Sequence, residues 1–255
     1  MTPLGHIDRR LEAVHRPLPP SRPAATLDLA ALADSGHLVP DAMDGRLAEE
    51  MRVIKQPLLR RARAADAASQ RLRLVMVTSA LPGEGKTTFA INLAMSLATE
   101  PDHTVLLVDV DVRRGHAMRR LGVDARGGLA ELLANPAQPL HELVRRTELP
   151  RLSVLPAGRA DHLPTELLAG RACERLLDRL LDEHPDQLVV FDAPPLLTGS
   201  QAEVLAPQVG QVVVVVQAWR TPMRAVARAF ARVSACAEVS AVLGRARATP
   251  AGLVA

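Results

Sequence analysis

The sequence predicts an α/β fold: a mainly parallel sheet with helices on both faces, preceded by a helical extension. Three observations predict it. Short apolar runs alternate with segments of helical periodicity, the arrangement of successive βαβ units. The runs are continuous rather than alternating, as expected of strands covered on both faces. The first run is followed by a glycine-rich turn that opens a helix, Ser79-Ala80-Leu81-Pro82-Gly83-Glu84-Gly85-Lys86-Thr87-Thr88.

Residues 1–25 carry Pro17, Pro19, Pro20 and Pro23 among Arg and His and read as a mobile Pro/Arg-rich lead segment. Residues 26–70 form the helical extension. Within it, 27–38 is a short apolar-patterned stretch. Over 44–68, Leu47, Met51, Ile54 and Leu58 recur at three- and four-residue steps, the period of an amphipathic helix. Pro57 is expected to kink or split that helix, since it has no N–H and its ring crowds the preceding turn. The main domain is expected over 71–250. Its strands are 72–78, 104–110, 152–155, 188–191, 212–216 and 239–243. Its helices are 86–99, 128–134, 141–146, 165–183, 201–206 and 222–237. The long helix at 165 follows the start signal Pro164-Thr165-Glu166. Residues 251–255 form a short tail.

Composition narrows the classes. Hydrophobic residues are 48% of the 255 but aromatic residues only 2%, so the core is built from Leu, Val, Ala and Ile. The formal net charge is +3, with arginines spread along the chain. A mild excess without a basic block gives no ground for expecting nucleic acid as a partner. Cys173 and Cys236 are far apart and read as small buried apolar residues in a reducing compartment. No histidine cluster has metal-ligand spacing. The N-terminus lacks the apolar core of a signal peptide. The longest apolar runs, such as 212–216, are far below the roughly 20 residues of a membrane helix. The expectation is a cytoplasmic protein that meets the inner face of a membrane through a partner.

The glycine-rich turn carries the chemistry. Its form is G-x-x-x-x-G-K-[ST] with Ala80 at the first position and Gly85, Lys86 and Thr87 intact. Pro82, Gly83, Glu84, Gly85, Lys86, Thr87 and Thr88 form the candidate phosphate-binding set. Gly83 and Gly85 let backbone N–H groups curl around phosphate oxygens. The helix that starts there turns its free N–H groups and dipole towards the anion. Lys86 is placed to reach the terminal phosphates, and the Thr87 hydroxyl to ligate Mg²⁺. This is a P-loop, with ATP and Mg²⁺ the implied ligands.

Acidic residues support that reading. Asp109 and Asp111 close the run 105–110 and, two apart, point to one side of an extended chain. The C-terminal ends of parallel strands face the ligand crevice of such a sheet. Asp192 closes the run 188–191, ahead of Ala193-Pro194-Pro195; a carboxylate there can hold Mg²⁺ through water.

These segments resemble the bacterial tyrosine kinases that regulate capsule and exopolysaccharide synthesis. Residues 78–87 look like that family's phosphate loop, alanine included. Val105-Leu106-Leu107-Val108-Asp109-Val110-Asp111-Val112-Arg113-Arg114 is similar to its second nucleotide motif and Val189-Val190-Phe191-Asp192-Ala193-Pro194-Pro195 to its third. Residues 152–158 and 164–168 fit its middle section. Residues 46–59 look like the branch associated with exosortase-linked loci. The resemblance covers roughly 27–247. It implies ATP as cofactor with Mg²⁺ held by Thr87, Asp109, Asp111 and Asp192. It implies Lys86, Asp109 and Asp111 as catalytic residues, Asp111 orienting or deprotonating an attacking hydroxyl, and in-line transfer of the γ-phosphoryl group. The implied partner is a membrane chain-length determinant or co-polymerase. The implied assembly is a ring through an E-x-x-R-x-x-R motif, here Glu49, Arg52 and Lys55; lysine keeps the charge but not the planar fork.

The chain also departs from that family. It contains no tyrosine, so the tyrosine-rich tail that neighbouring subunits phosphorylate is not in it, and tyrosine autophosphorylation of this chain is not expected. Gly244 stands where the resemblance places an asparagine near the base, which bears on base selectivity. Gly115 and Leu163 replace a frequent proline and asparagine. Two readings stay open: an enzyme that transfers or hydrolyses the γ-phosphate, or an ATP-binding assembly module for the chain-length protein with little catalysis. A partitioning ATPase is less favoured, because the signature lysine of such proteins falls at Leu81 here.

Overall fold

The structure is a computed structural model that describes residues 25–40, 43–66, 68–111, 116–158 and 165–245. The expectations for the proline-rich lead, Arg113, Arg114, Gly115, Leu163, Pro164 and the tail lie outside the described residues.

One sheet organises the chain. Its strands are β1 (Leu74–Ser79), β2 (Thr104–Asp109), β3 (Arg145–Arg146), β4 (Leu152–Leu155), β5 (Gln187–Asp192), β6 (Gln211–Gln217) and β7 (Glu238–Gly244). They lie in the order β3-β4-β2-β5-β1-β6-β7. Every pairing is parallel except the short β3–β4 pair. Helices cover both faces: α1 (Leu29–Asp34), α2 (Arg46–Arg63), α3 (Lys86–Leu97) and α4 (His116–Leu121) on one, and α5 (Leu129–Ala134), α6 (Leu140–Leu143), α7 (Thr165–Ala169), α8 (Arg171–Glu183), α9 (Gln201–Leu205) and α10 (Met223–Arg232) on the other.

The strand pleat explains the two layers. Successive side chains of a strand point to opposite faces. Val75, Val77, Leu107 and Val213 therefore pack against α2 and α3, whereas Leu74, Met76, Leu106 and Val212 pack against α8 and α9. Because both faces are covered, the strands are apolar at every position, which is the pattern visible in the sequence. The N-terminal helices share this core: Leu32, Met51, Leu58 and Leu59 are buried with the β1 and α3 side chains.

Four expectations change. Helix α2 runs unbroken through Pro57, because Met51, Lys55, Leu58, Leu59 and Ala62 bury one face on either side of the proline and tertiary packing overrides the local cost. The helix expected over 165–183 is two, α7 and α8, separated at Gly170, whose extended ψ of 170° ends one and starts the other. The helix expected over 141–146 is the single turn α6 followed by β3, because Arg145 and Arg146 pair with β4 instead. Helix α4, absent from the sequence reading, packs Ala117, Met118 and Leu121 into the α3 layer.

Candidate nucleotide site

The loop between β1 and α3 has the backbone that its glycines allow. Gly83 has φ +84° and Gly85 has φ +93°, the left-handed region that disfavours L side chains. A Cβ placed on either would meet no atom within 4 Å, so the space above them is open. Gly85 also caps α3 without any side-chain hydrogen bond. The first N–H groups of a helix have no intrahelical acceptor, and here they face the turn of the loop. Ala80, at the degenerate first position, is fully buried with its methyl in the core. Ser79 and Ala80 also accept hydrogen bonds from the backbone of Leu196 and Leu197, at 2.8 and 3.1 Å. The loop is thereby held against the segment that follows β5.

Glu84 takes a place that its motif position did not reveal. Its carboxylate is buried; one oxygen accepts from the Leu81 N–H at 2.7 Å and the other from the Thr221 hydroxyl. It braces the phosphate loop against the β6–α10 connection. Pro82 and Gly83 are exposed at the crest of the loop. The Thr88 hydroxyl accepts from the Arg120 guanidinium of α4. Arg120 and Thr221 are the residues that the sequence reading missed.

Two of the three aspartates meet Lys86, and the third, Asp109, lies beside them. The Lys86 ammonium donates to Asp192 Oδ1 at 3.1 Å and to Thr87 Oγ1 at 3.2 Å, and lies 3.8 Å from Asp111 Oδ2. Asp109 and Asp192 are register partners at the ends of β2 and β5. Strand β2 ends at Asp109, and the Asp111 N–H donates to Asp109 Oδ1 at 3.0 Å. Asp111 therefore reaches the same side by a turn rather than by strand alternation. Burial, with Asp192 alongside, pushes Asp109 up to about 7. Burial also raises Asp192, against the pull of Lys86.

This donor set suits a hydrated magnesium ion. Asp109 Oδ2 and Asp192 Oδ2 are buried and find no hydrogen-bond partner among the described residues. Uncompensated buried carboxylate oxygens are costly, and a cation or its bound waters relieves that cost. Among the described residues no three His, Cys, Asp or Glu side chains form a metal cage of their own. Mg²⁺ usually takes phosphate and water oxygens besides one or two protein groups, so no such cage is needed.

The remaining predicted residues lie elsewhere. Glu49 and Arg52 form an exposed ion pair on α2, and Arg52 also donates to the Met43 carbonyl at 2.8 Å. Lys55 is 3% exposed and turned inward. Its ammonium donates to the Ser96 carbonyl at 2.7 Å and the Thr99 hydroxyl at 3.0 Å, and pairs with Glu100 at 2.9 Å. It does not join Glu49 and Arg52 on the outer face, because these three partners at the end of α3 hold it. Gly244 ends β7, and its carbonyl accepts from the Ala218 N–H at 3.0 Å.

Comparison with known proteins points the same way. A family model described as an AAA domain matches residues 73–238. The tyrosine-protein kinase ptk of Acinetobacter johnsonii is 33% identical over 156 residues, 61% of this chain and 21% of its own length. The chain spans about a fifth of the length of such curated relatives. Among solved structures, the VpsO kinase domain is 31% identical with a TM-score of 0.60, covering 80% of this chain and all of that one. The kinase domain of the Escherichia coli tyrosine kinase ETK is 25% identical with a TM-score of 0.67, covering 88% of this chain and 92% of that one.

Proposed function

Since the chain belongs to the AAA domain family and to the bacterial tyrosine kinases whose kinase domains it matches, we propose that it binds Mg-ATP and transfers or hydrolyses the γ-phosphoryl group. Its output would be control of exopolysaccharide synthesis or chain length. The observation that carries this reading is the meeting of Asp111 and Asp192 with Lys86, with Asp109 beside them, next to an open, glycine-lined loop. In such a site catalysis is positioning plus electrostatic stabilisation. Lys86 leaves its aspartate partners to meet the terminal phosphates, and the helix N-terminus of α3 holds the inner ones. Thr87, with Asp109 and Asp192 behind it, would hold Mg²⁺. When bound, the metal would supply charge neutralisation at the phosphates. Asp111, at the rim of the cluster, orients the hydroxyl or water that attacks. Residues 71–250 form the catalytic unit in this reading and 26–70 its assembly segment.

The partner is a membrane chain-length determinant, the assembly a ring through the outer face of α2, and the place of action the inner face of the membrane. The branch is that linked to exosortase loci. Among the described residues no helix is long and apolar enough to cross a membrane.

One observation favours a second reading. The 255 residues contain no tyrosine, so a phosphate leaving this loop has no tyrosine acceptor within them. In that reading ATP binding sets assembly and little turnover follows. A single experiment separates the two. Purified protein is incubated with Mg-ATP, with and without the chain-length protein, beside Lys86→Ala. Phosphate release, or phosphotyrosine on the partner, that drops at least about a hundredfold in the variant supports the enzyme. Tight binding without turnover leaves the assembly module.

A further inference from the structure

The turn between β6 and α10 holds the chain's single tryptophan in an unusual state. Trp219 is 94% exposed and has φ +63°, a backbone region rarely adopted by a bulky residue and often stabilised at ligand sites. The turn itself is well ordered by hydrogen bonds. The Arg220 and Thr221 N–H groups donate to the Gln217 carbonyl at 3.3 and 3.1 Å. The Gln217 N–H donates to the Thr221 hydroxyl at 3.1 Å. The indole is therefore presented by a fixed turn, with nothing of the described chain covering it.

Two links tie this turn to the nucleotide site. The Thr221 hydroxyl donates to Glu84 inside the phosphate loop. The Ala218 N–H donates to the Gly244 carbonyl at the end of β7. Trp219 lies between these anchors, two residues from Thr221 and one from Ala218, a reach of about 7 Å or less along the backbone. At Gly244 an added Cβ would lie 3.7 Å from Val215 Cγ1 and 3.9 Å from the Glu84 carbonyl. Gly244 thus puts no side-chain donor or acceptor where the end of β7 meets the phosphate loop and this turn.

We propose that Trp219 is the base-binding surface of this site: its indole stacks on the purine of the nucleoside triphosphate whose phosphates occupy the loop. This deepens the ATP-binding reading and rests on it. Every base offers a π face, so stacking adds affinity without choosing among bases. Hydrogen bonds to a base edge would choose, and Gly244 offers no side chain to make one. The site is therefore a base-tolerant purine nucleotide site, with affinity from phosphates and stacking.

The composition makes the test clean, because with one tryptophan and no tyrosine the intrinsic indole emission reports on residue 219 alone. The intact chain is titrated with Mg-ATP, Mg-GTP and magnesium tripolyphosphate, following emission and, in parallel, heat of binding. Both nucleotides are expected to change the emission and to bind within about threefold of one another, while tripolyphosphate binds without changing it. Trp219→Ala is expected to weaken ATP by about tenfold or more and to leave tripolyphosphate unchanged; Trp219→Phe retains most of the affinity. ATP binding with unaltered emission and an unaffected Trp219→Ala overturns the stacking proposal and leaves the ATP reading standing. A Trp219→Ala protein that binds ATP normally but changes its particle mass also overturns it, placing the indole at a contact between copies. Absence of any heat with ATP in the parent chain overturns the ATP reading and this proposal with it.

Discussion

Asp109 shows what one buried carboxylate does to this molecule. Its folded value of about 7 lies above the ordinary 3.8, so the folded state binds its proton more tightly than the unfolded chain. Stability from this group is therefore fully present below 3.8 and is lost as pH rises to about 7. Asp109→Asn removes the penalty. It should raise the melting temperature of the metal-free, nucleotide-free protein by a few degrees at pH 8 and by almost nothing at pH 4, read by differential scanning fluorimetry. An equal shift at both pH values would contradict this electrostatic account. The same substitution should weaken the proposed Mg-ATP site, as expected where stability and function compete. The residues that were legible in the sequence, Gly83, Gly85, Lys86, Thr87 and the three aspartates, each belong to a short segment with its own pattern. Arg120 and Thr221 were not legible, because they meet Thr88 and Glu84 across 32 and 137 residues. No local signal marks such a meeting; the sheet order creates it.

Helix α2 shows the limits of periodicity at the scale of an element. The three- and four-residue steps located it correctly, and the packed face does carry Met51 and Leu58. The sequence could not say on which side of that boundary a long polar side chain falls. Lys55 sits on the buried side, one step from the apolar stripe, with its stem covered and its ammonium held by α3. Burial alone would push the carboxyl of its partner Glu100 up, but Lys55 and Arg63 outweigh that and hold it below its usual range. The sign follows: the stability from this cluster is present above 4.5 and is lost as pH falls below it. Lys55→Ala leaves Glu100 with Arg63 alone and the Ser96 carbonyl without its donor. It should cost about 2 kcal/mol in urea unfolding at pH 7, with a smaller cost at pH 3. A loss below about 0.5 kcal/mol at pH 7 would mean that the inward lysine contributes little. Gly170 and Pro57 teach the same lesson from opposite sides. The proline that should break a helix is overridden by burial on both flanks, while an inconspicuous glycine ends one.

For the whole molecule the outer face of α2 is the surface that our reading assigns to assembly. Arg52 and Glu49 are exposed there, and Arg52 is already oriented by the Met43 carbonyl. Arg52→Ala should reduce any ring to single chains by multi-angle light scattering with Mg-ATP present; an unchanged mass would sink that assignment. Sheet order was only partly legible: alternation of strands and helices implies parallel pairing, but nothing in the sequence states that β1 is flanked by β5 and β6. That placement sets a timetable for folding. The strand carrying the phosphate loop is made first, yet its neighbours begin at Gln187 and Gln211. Contacts so distant along the chain close large loops and slow the search for the native state. During synthesis the loop's supporting strand must wait with both edges unpaired until β5 has left the ribosome, and with one edge unpaired until β6 has followed. Nucleotide can stabilise only the nearly finished chain, so shortened products ending before residue 217 should depend on chaperones and not on ATP of their own.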